Sequence, residues 1–162
     1  MCVLVDRDII RWALAGGVTP YNPEQVNPAS YDLTLASDVI DLNTGEHIII
    51  DGAGLKLYHG RAVLATTVET VYIPITIVGS VALKSTSARS GIDHALAGWI
   101  DPGFRGQITL ELSAHRDVVL HVGQRLAQIV LTSTHGVPDR AYGNMPHSHY
   151  QDQVGVTPAR FD

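Results

Sequence analysis

The chain has 162 residues, with 16 acidic against 11 basic side chains and a formal net charge of −5. That length suits one ordinary domain, and a hydrophobic content of 45% supports a sizeable core and excludes a disordered chain. The acidic balance argues against general duplex binding, which draws its affinity from clustered Lys and Arg.

Asp6 reads as a helix N-cap, and Asp8 adds negative charge to the first turn. Ile9, Ile10, Ala13 and Leu14 recur at helical spacing until Gly16-Gly17 stops the run. Beyond it the chain reads as strands and turns. Residues 31–35 alternate with period two. Residues 47–50, 62–67, 77–83, 107–112, 118–122 and 126–132 are short apolar or β-branched runs. Turn signals separate them, among them Asn43-Thr44-Gly45, Asp51-Gly52, His59-Gly60, Asp101-Pro102-Gly103 and Val122-Gly123. The pattern predicts a mainly β domain over 1–162, a barrel or sandwich with a short N-terminal helix. Residues 142–162 lose periodicity and gain Pro, His, Gln and Gly, as a tail does, or a segment that orders over a ligand or a neighbouring subunit.

No apolar run approaches the ~20 residues of a membrane span, so no membrane contact is expected. Residues 1–11 lack a basic stretch followed by an apolar one, so no secretory signal is expected. The single cysteine, Cys2, has no partner for an internal disulfide, and a reducing cytoplasm is the expected compartment. One cysteine also excludes the paired-cysteine zinc site of the common nucleobase deaminases. No His-Glu-x-x-His spacing replaces it. His147 and His149 read as a surface pair rather than as metal ligands.

Two segments carry chemistry. In Lys84-Ser85-Thr86-Ser87-Ala88-Arg89-Ser90-Gly91 a strand ends in a cation, followed by hydroxyls and then Arg89. Hydroxyls and free amides at such a junction make a concave anion site. The competing reading is a helix capped by Ser85 with solvated charges. In the second segment, Asp101-Pro102-Gly103 is a turn, and Glu111 sits between Leu110 and Leu112. Strand alternation sends Glu111 to the face opposite both leucines. There it is either wet or buried with a partner, for which Arg89 is the candidate.

Lys-Ser-x-x-Ala-Arg-x-Gly, followed by Ala-Gly-Trp-Ile-Asp-Pro-Gly-Phe-x-Gly-x-Ile-Thr-Leu-Glu-Leu, strongly resembles the dCTP deaminase family, the deaminating branch of the trimeric dUTPase superfamily. Val5-Asp6-Arg7-Asp8-Ile9, Asn27-Pro28-Ala29-Ser30-Tyr31-Asp32-Leu33, Tyr150-Gln151-Asp152-Gln153 and Thr157-Pro158-Ala159-Arg160 extend the resemblance over nearly the whole chain. Several ordered matches are more specific than any one motif. The resemblance implies a distorted β-barrel or jelly-roll of dUTPase-like type, a homotrimer, and active sites at subunit interfaces. It implies zinc-independent deamination, with Mg²⁺ arriving on the triphosphate.

Carried over by position, Glu111 is the general base and acid that activates water for attack on C4 of cytosine. Ser85 and the carbonyl of Ala97 position that water, and Arg89 holds Glu111. Lys84 and Ser85 lie near the phosphates, and Asp101 binds the deoxyribose 3′-hydroxyl. Trp99, Gln128, Tyr142, His149 and Gln153 complete the substrate-binding set. The chain departs from the family pattern at His149, where Lys is usual, at Ala114, at the short 38–57 segment, at His59-Gly60-Arg61, which lacks the customary Pro of His-Pro-Gly, and at Ala95. Small Ala95 suggests room for a 5-substituted substrate such as 5-methyl-dCTP. The leading expectation is conversion of dCTP to dUTP and ammonia. The first alternative carries the substrate on to dUMP and pyrophosphate. The second is a catalytically silent member that binds nucleotides or regulatory proteins. A plain dUTPase is disfavoured, because Glu111 would serve nothing and the Gly-rich C-terminal motif is absent.

Overall fold

The computed structural model describes residues 2–95 and 97–161. Residue 162, the end of the expected C-terminal segment, lies outside the described residues. A short helix α1 (Asp6–Trp12) precedes twelve strands, β1 (Val18–Thr19), β2 (Val26–Asn27), β3 (Ser30–Asp41), β4 (His47–Ile49), β5 (Leu55–Leu57), β6 (Ala62–Tyr72), β7 (Ile77–Leu83), β8 (Ile92–His94), β9 (Trp99–Ile100), β10 (Arg105–Ala114), β11 (Val118–Leu120) and β12 (Arg125–Ser133). A second helix, α2 (Ser85–Arg89), follows β7. The fold is mainly β, as expected. Among the described residues no helix is long and apolar enough to cross a membrane.

The main sheet runs β8-β10-β6-β3-β12-β7-β9, with every pairing antiparallel. Strand β3 bends it. Its first residues, Tyr31 to Thr34, pair with β12, whereas Leu35 to Asp41 pair with β6. A register shift between Leu35 and Val39 marks the corner and curls the sheet into a half-barrel. The buried carboxylate of Glu69 pins the bend. It accepts hydrogen bonds from Gln25 Nε2 (2.7 Å), the Thr34 hydroxyl (2.7 Å) and the Thr34 amide (2.8 Å). Three donors satisfy a group that would be costly to bury bare.

Alternation sorts β10 cleanly. Ile108, Leu110, Leu112 and Ala114 point into the core, and Gln107, Thr109, Glu111 and Ser113 point the other way. The core gathers Tyr31, Leu33, Leu35, Leu110, Leu126 and Ile129, all fully buried.

Helix α1 departs from the expected spacing. Val5, not Asp6, is the N-cap, without a side-chain cap bond, and Asp6 bonds the Arg7 amide instead. Ile9 and Ala13 are buried, but Leu14 is 71% exposed. Trp12 takes the core position, its indole N–H donating to the Tyr72 carbonyl at 2.8 Å.

Candidate active site

Glu111 opens onto a cavity of about 970 Å³. The outward face of β10, the Asp101 turn, β3, β6 and the C-terminal segment enclose it. Its charged lining residues, among those described, are Asp41, Asp101 and Glu111. Ala97, Trp99, Tyr142 and Gln153 line it as well. His94 stands beside Glu111, with Nε2 at 3.3 Å from Oε2. His94 is buried, and neither of these two atoms has an aligned hydrogen bond among the described residues. Gln153 Oε1 is buried and unpaired in the same way. Buried polar atoms without partners are rare and mark places where water or a ligand bonds.

The turn before β10 explains how Asp101 comes to the cavity. The Phe104 amide bonds the Asp101 carbonyl at 3.2 Å, and Gly103 adopts φ +92°. A Cβ on Gly103 would lie 2.8 Å from the Ala141 Cβ and 2.9 Å from the Tyr142 carbonyl oxygen. Only glycine therefore lets the C-terminal segment close against this turn. Gly98 works similarly, because a Cβ there would stand 2.5 Å from the Val81 carbonyl oxygen. That contact lets the Gly98 carbonyl accept from the Val81 amide at 2.7 Å and fixes the chain between Ala97 and Trp99, the first residue of β9. Trp99 is 66% exposed at the rim, and its indole N–H reaches Asp101 Oδ1 at 3.3 Å.

The C-terminal segment forms the outer wall without regular elements. It is tied to β10 by the Asp152 amide on the Arg105 carbonyl (2.7 Å), the Gln107 amide on the Gln153 carbonyl (3.0 Å) and the Gln153 side-chain amide on the Gln107 carbonyl (2.6 Å). The Val156 amide reaches Asp38 Oδ2 of β3 at 2.6 Å. Tyr142, Tyr150, Gln153, Thr157, Pro158 and Ala159 thereby face the cavity.

The other half of the expected constellation stands elsewhere. Lys84 caps α2 with its backbone, so Ser85 is the first helical residue and not the cap. Ser85 and Arg89 are exposed and do not line the cavity. The expected Arg89–Glu111 pairing is not made within one chain, because β8 and His94 stand beside Glu111 while Arg89 projects from the end of α2. Lys84 is held by a buried carboxylate, with Nζ at 2.6 Å from both oxygens of Asp32. Asn27 Nδ2 bonds the same Asp32 at 2.8 Å. Gln128 also lies outside the cavity and accepts from the Ser30 hydroxyl at 2.8 Å. His149 is near the segment but not in its lining, and its carbonyl accepts from Arg160 Nη1 at 2.5 Å. The rings of His147 and His149 are 6.1 Å apart. Among the described residues, no three His, Cys, Asp or Glu side chains stand together as metal ligands.

Sequence reasoning does not single out His94, which stands beside Glu111, or the lining residues Leu64 and Ile40. Their signals were weak, a histidine closing the three-residue strand β8 and aliphatic residues inside ordinary strands.

The dCTP deaminase-like family model matches residues 3–134. An Acidothermus cellulolyticus protein named dCTP deaminase, dUMP-forming, is 34% identical over 180 residues, covering 98% of this chain and 94% of its own length. Among solved structures, the Agrobacterium tumefaciens 2′-deoxycytidine 5′-triphosphate deaminase superposes with a TM-score of 0.72 at 23% identity. That match covers 82% of this chain and 48% of the other, so this chain spans about half its length. The native EIAV dUTPase gives a TM-score of 0.53 at 20% identity over 76% of this chain and 88% of its own. The two structures speak for the shared fold, a dUTPase-like barrel. With the family match over most of the sequence and a relative aligned along nearly all of it, the chain belongs to the dCTP deaminase-like family.

Proposed function

We propose that this chain deaminates dCTP and carries the product on to dUMP and pyrophosphate. The name of the Acidothermus relative supports this outcome over release of dUTP, the leading expectation from the sequence. The observation that carries the reading is that Glu111 and Asp101 share one cavity. One is a carboxylate able to move a proton, and the other sits on a rigid turn able to hold a sugar hydroxyl.

In this reading Glu111 takes a proton from water as the oxygen attacks C4 of cytosine, and returns it to the exocyclic nitrogen. The C4–N4 bond breaks and ammonia leaves. A second water then attacks the α-phosphorus, and pyrophosphate departs. The Ala97 carbonyl orients the first water, and Asp101 accepts from the 3′-hydroxyl. Trp99, Tyr142 and Gln153 contact the nucleotide from the walls, with His149 at the margin of the C-terminal segment.

A triphosphate needs cations, and the described lining of this cavity has none. Ser85 and Arg89 on the exposed α2 supply the missing donors from a second copy, and Lys84 fixes the start of that helix. Arg89 from that copy also braces Glu111. This division of labour supports a homotrimer with sites between subunits. Mg²⁺ suits the triphosphate as a counter-charge, held on phosphate oxygens and water. No paired-cysteine zinc site exists in the sequence, and the reaction as written uses no zinc. Gln128, bonded to Ser30 outside the cavity, supports the neighbouring wall.

Incubation with dCTP and Mg²⁺, an ammonia assay and product chromatography test the reading. Ammonia, dUMP and pyrophosphate in equal amounts are the expected result. Ammonia with dUTP alone overturns the second step, and no ammonia overturns the first.

A further inference from the structure

Sheet register places an aliphatic row beside Glu111. Glu111 of β10 pairs with Leu64 of β6, and Leu64 pairs with Ile40 of β3. All three residues line the cavity. Side chains directly opposite on one sheet face have Cβ atoms about 4.5–5.5 Å apart. Glu111 therefore has hydrocarbon along its β6 and β3 flank. It also touches His94, whose Nε2 and the facing Glu111 Oε2 are buried without aligned hydrogen bonds.

A pyrimidine carbon C4 has two ring neighbours. N3 carries a lone pair that needs a hydrogen-bond partner, and C5 carries only hydrogen or an apolar group. With C4 at Glu111, N3 against Leu64 and Ile40 would leave a desolvated acceptor unpaired, at a cost of the kind buried polar groups avoid. The favoured orientation turns N3 toward the His94 side and C5 toward the aliphatic row. The volume of about 970 Å³ lies at the upper end of the ~300–1,000 Å³ usual for small-molecule sites. Ala95, which the sequence suggested as the determinant at C5, is exposed and is not among the described lining residues. Its amide bonds the Glu111 carbonyl at 3.0 Å, a backbone role.

We infer that the site accepts deoxycytidine nucleotides carrying a small apolar group at C5, a methyl foremost, packed on Leu64 and Ile40. The inference rests on the deaminase reading above. The chemistry is the same: water oxygen bonds to C4, the C4–N4 bond breaks, ammonia leaves, and the C5 methyl is untouched. A 5-methylcytosine nucleotide becomes a thymine nucleotide. Burying one methyl strengthens binding by about fourfold.

The test compares ammonia release from dCTP and from 5-methyl-dCTP by the full chain with Mg²⁺. A kcat/KM for 5-methyl-dCTP within about tenfold of that for dCTP, with a thymine nucleotide as product, is expected. Leu64→Phe fills the space at C5 and should lower the 5-methyl-dCTP to dCTP ratio about tenfold or more. Ile40→Phe is the second variant if Leu64→Phe does not fold. Deamination of dCTP with 5-methyl-dCTP more than about a hundredfold slower overturns this inference alone. A ratio that neither variant moves overturns the assignment of C5 to the aliphatic row. No ammonia from either nucleotide overturns the deaminase reading, and this inference with it.

Discussion

Around the cavity the charged residues of the described lining are all acidic, namely Asp41, Asp101 and Glu111. At α2 the exposed groups include the hydroxyls of Ser85 and Thr86 and a cation, Arg89, with Lys84 anchored just before them. The first region offers Glu111 and Asp101, which the proposed reading uses for the proton and the sugar hydroxyl, and no cation among its described lining residues. The second offers its hydroxyls and its cation to solvent. Each fits what the other lacks, and one chain does not bring them together. On the reading proposed above, the unit of function is a junction between copies rather than a cleft in one subunit.

The contrast is sharpest in chemistry. Glu111→Gln keeps the shape of the cavity and removes its proton acceptor, so turnover of dCTP should fall by at least about 10²–10⁴-fold. Nucleotide affinity, measured by calorimetry, should change far less. If dUTP is hydrolysed, that activity should survive Glu111→Gln and disappear in Asp101→Asn, because only deamination needs the amine to leave. Unaltered ammonia release by Glu111→Gln would remove Glu111 from the mechanism.

On the α2 side, Lys84 is expected to act through structure first. Asp32 is almost fully buried, and Lys84 is its closest cation. Removing one partner of a buried ion pair typically costs ~3–5 kcal/mol, and because Lys84 is 26% exposed the cost for Lys84→Met should be about 3 kcal/mol. Urea unfolding checks this. A variant of wild-type stability with a raised KM would return Lys84 to the phosphate-binding set.

These two regions also show what could be read from the residues alone. The run predicted over 77–83 matches β7, and the runs within β6, β10 and β12 fall on long strands, because several apolar or β-branched residues in succession are a strand signal of their own. The two- and three-residue strands β1, β2, β5, β8 and β9 are too short to show any period. In α1 the apolar spacing pointed to Leu14, but the chain breaks at Gly16, with φ +89°, and Trp12 fills the core instead. At the site, alternation correctly sent Glu111 away from Leu110 and Leu112. It could not supply the partner, because His94 meets Glu111 through the pairing of two distant strands. Arg89, the expected partner, stands on a different element from Glu111, and order along the chain sets no distance between them.

A smaller effect probes the seam where the C-terminal segment closes the cavity. Gly103→Ala forces a side chain into φ +92° and into the Ala141 and Tyr142 contacts. A loss of about 1–3 kcal/mol is expected, together with faster proteolysis of the C-terminal segment. Unchanged stability would mean that the seam is not close-packed.

The smallest effect concerns Asp41, the acid at the cavity rim. Burial pushes its carboxyl up, but hydrogen bonds from Arg61 and the Asn43 and Thr44 amides, with the Arg61 charge, hold it below the ordinary 3.8. A lowered folded value means that its contribution to stability is present above the unfolded value. The contribution is lost as pH falls through the folded one. In Arg61→Ala, titration of Asp41 followed by NMR should shift upward and this acid-side loss should shrink. No shift would show that Arg61 does not neutralise this rim carboxylate.

The division between the two regions is tested most directly by mixing inactive variants. Glu111→Gln and Arg89→Ala are each expected to be nearly inactive as pure assemblies. Unfolded together in equal amounts and refolded, copies with intact Arg89 meet copies with intact Glu111 at about a quarter of the interfaces if partners assort at random. Ammonia release from dCTP should then return to about a quarter of the wild-type rate. Activity no higher than that of the separate variants, in a mixture shown by mass spectrometry to contain mixed assemblies, would place both groups in one chain and contradict a site shared between copies.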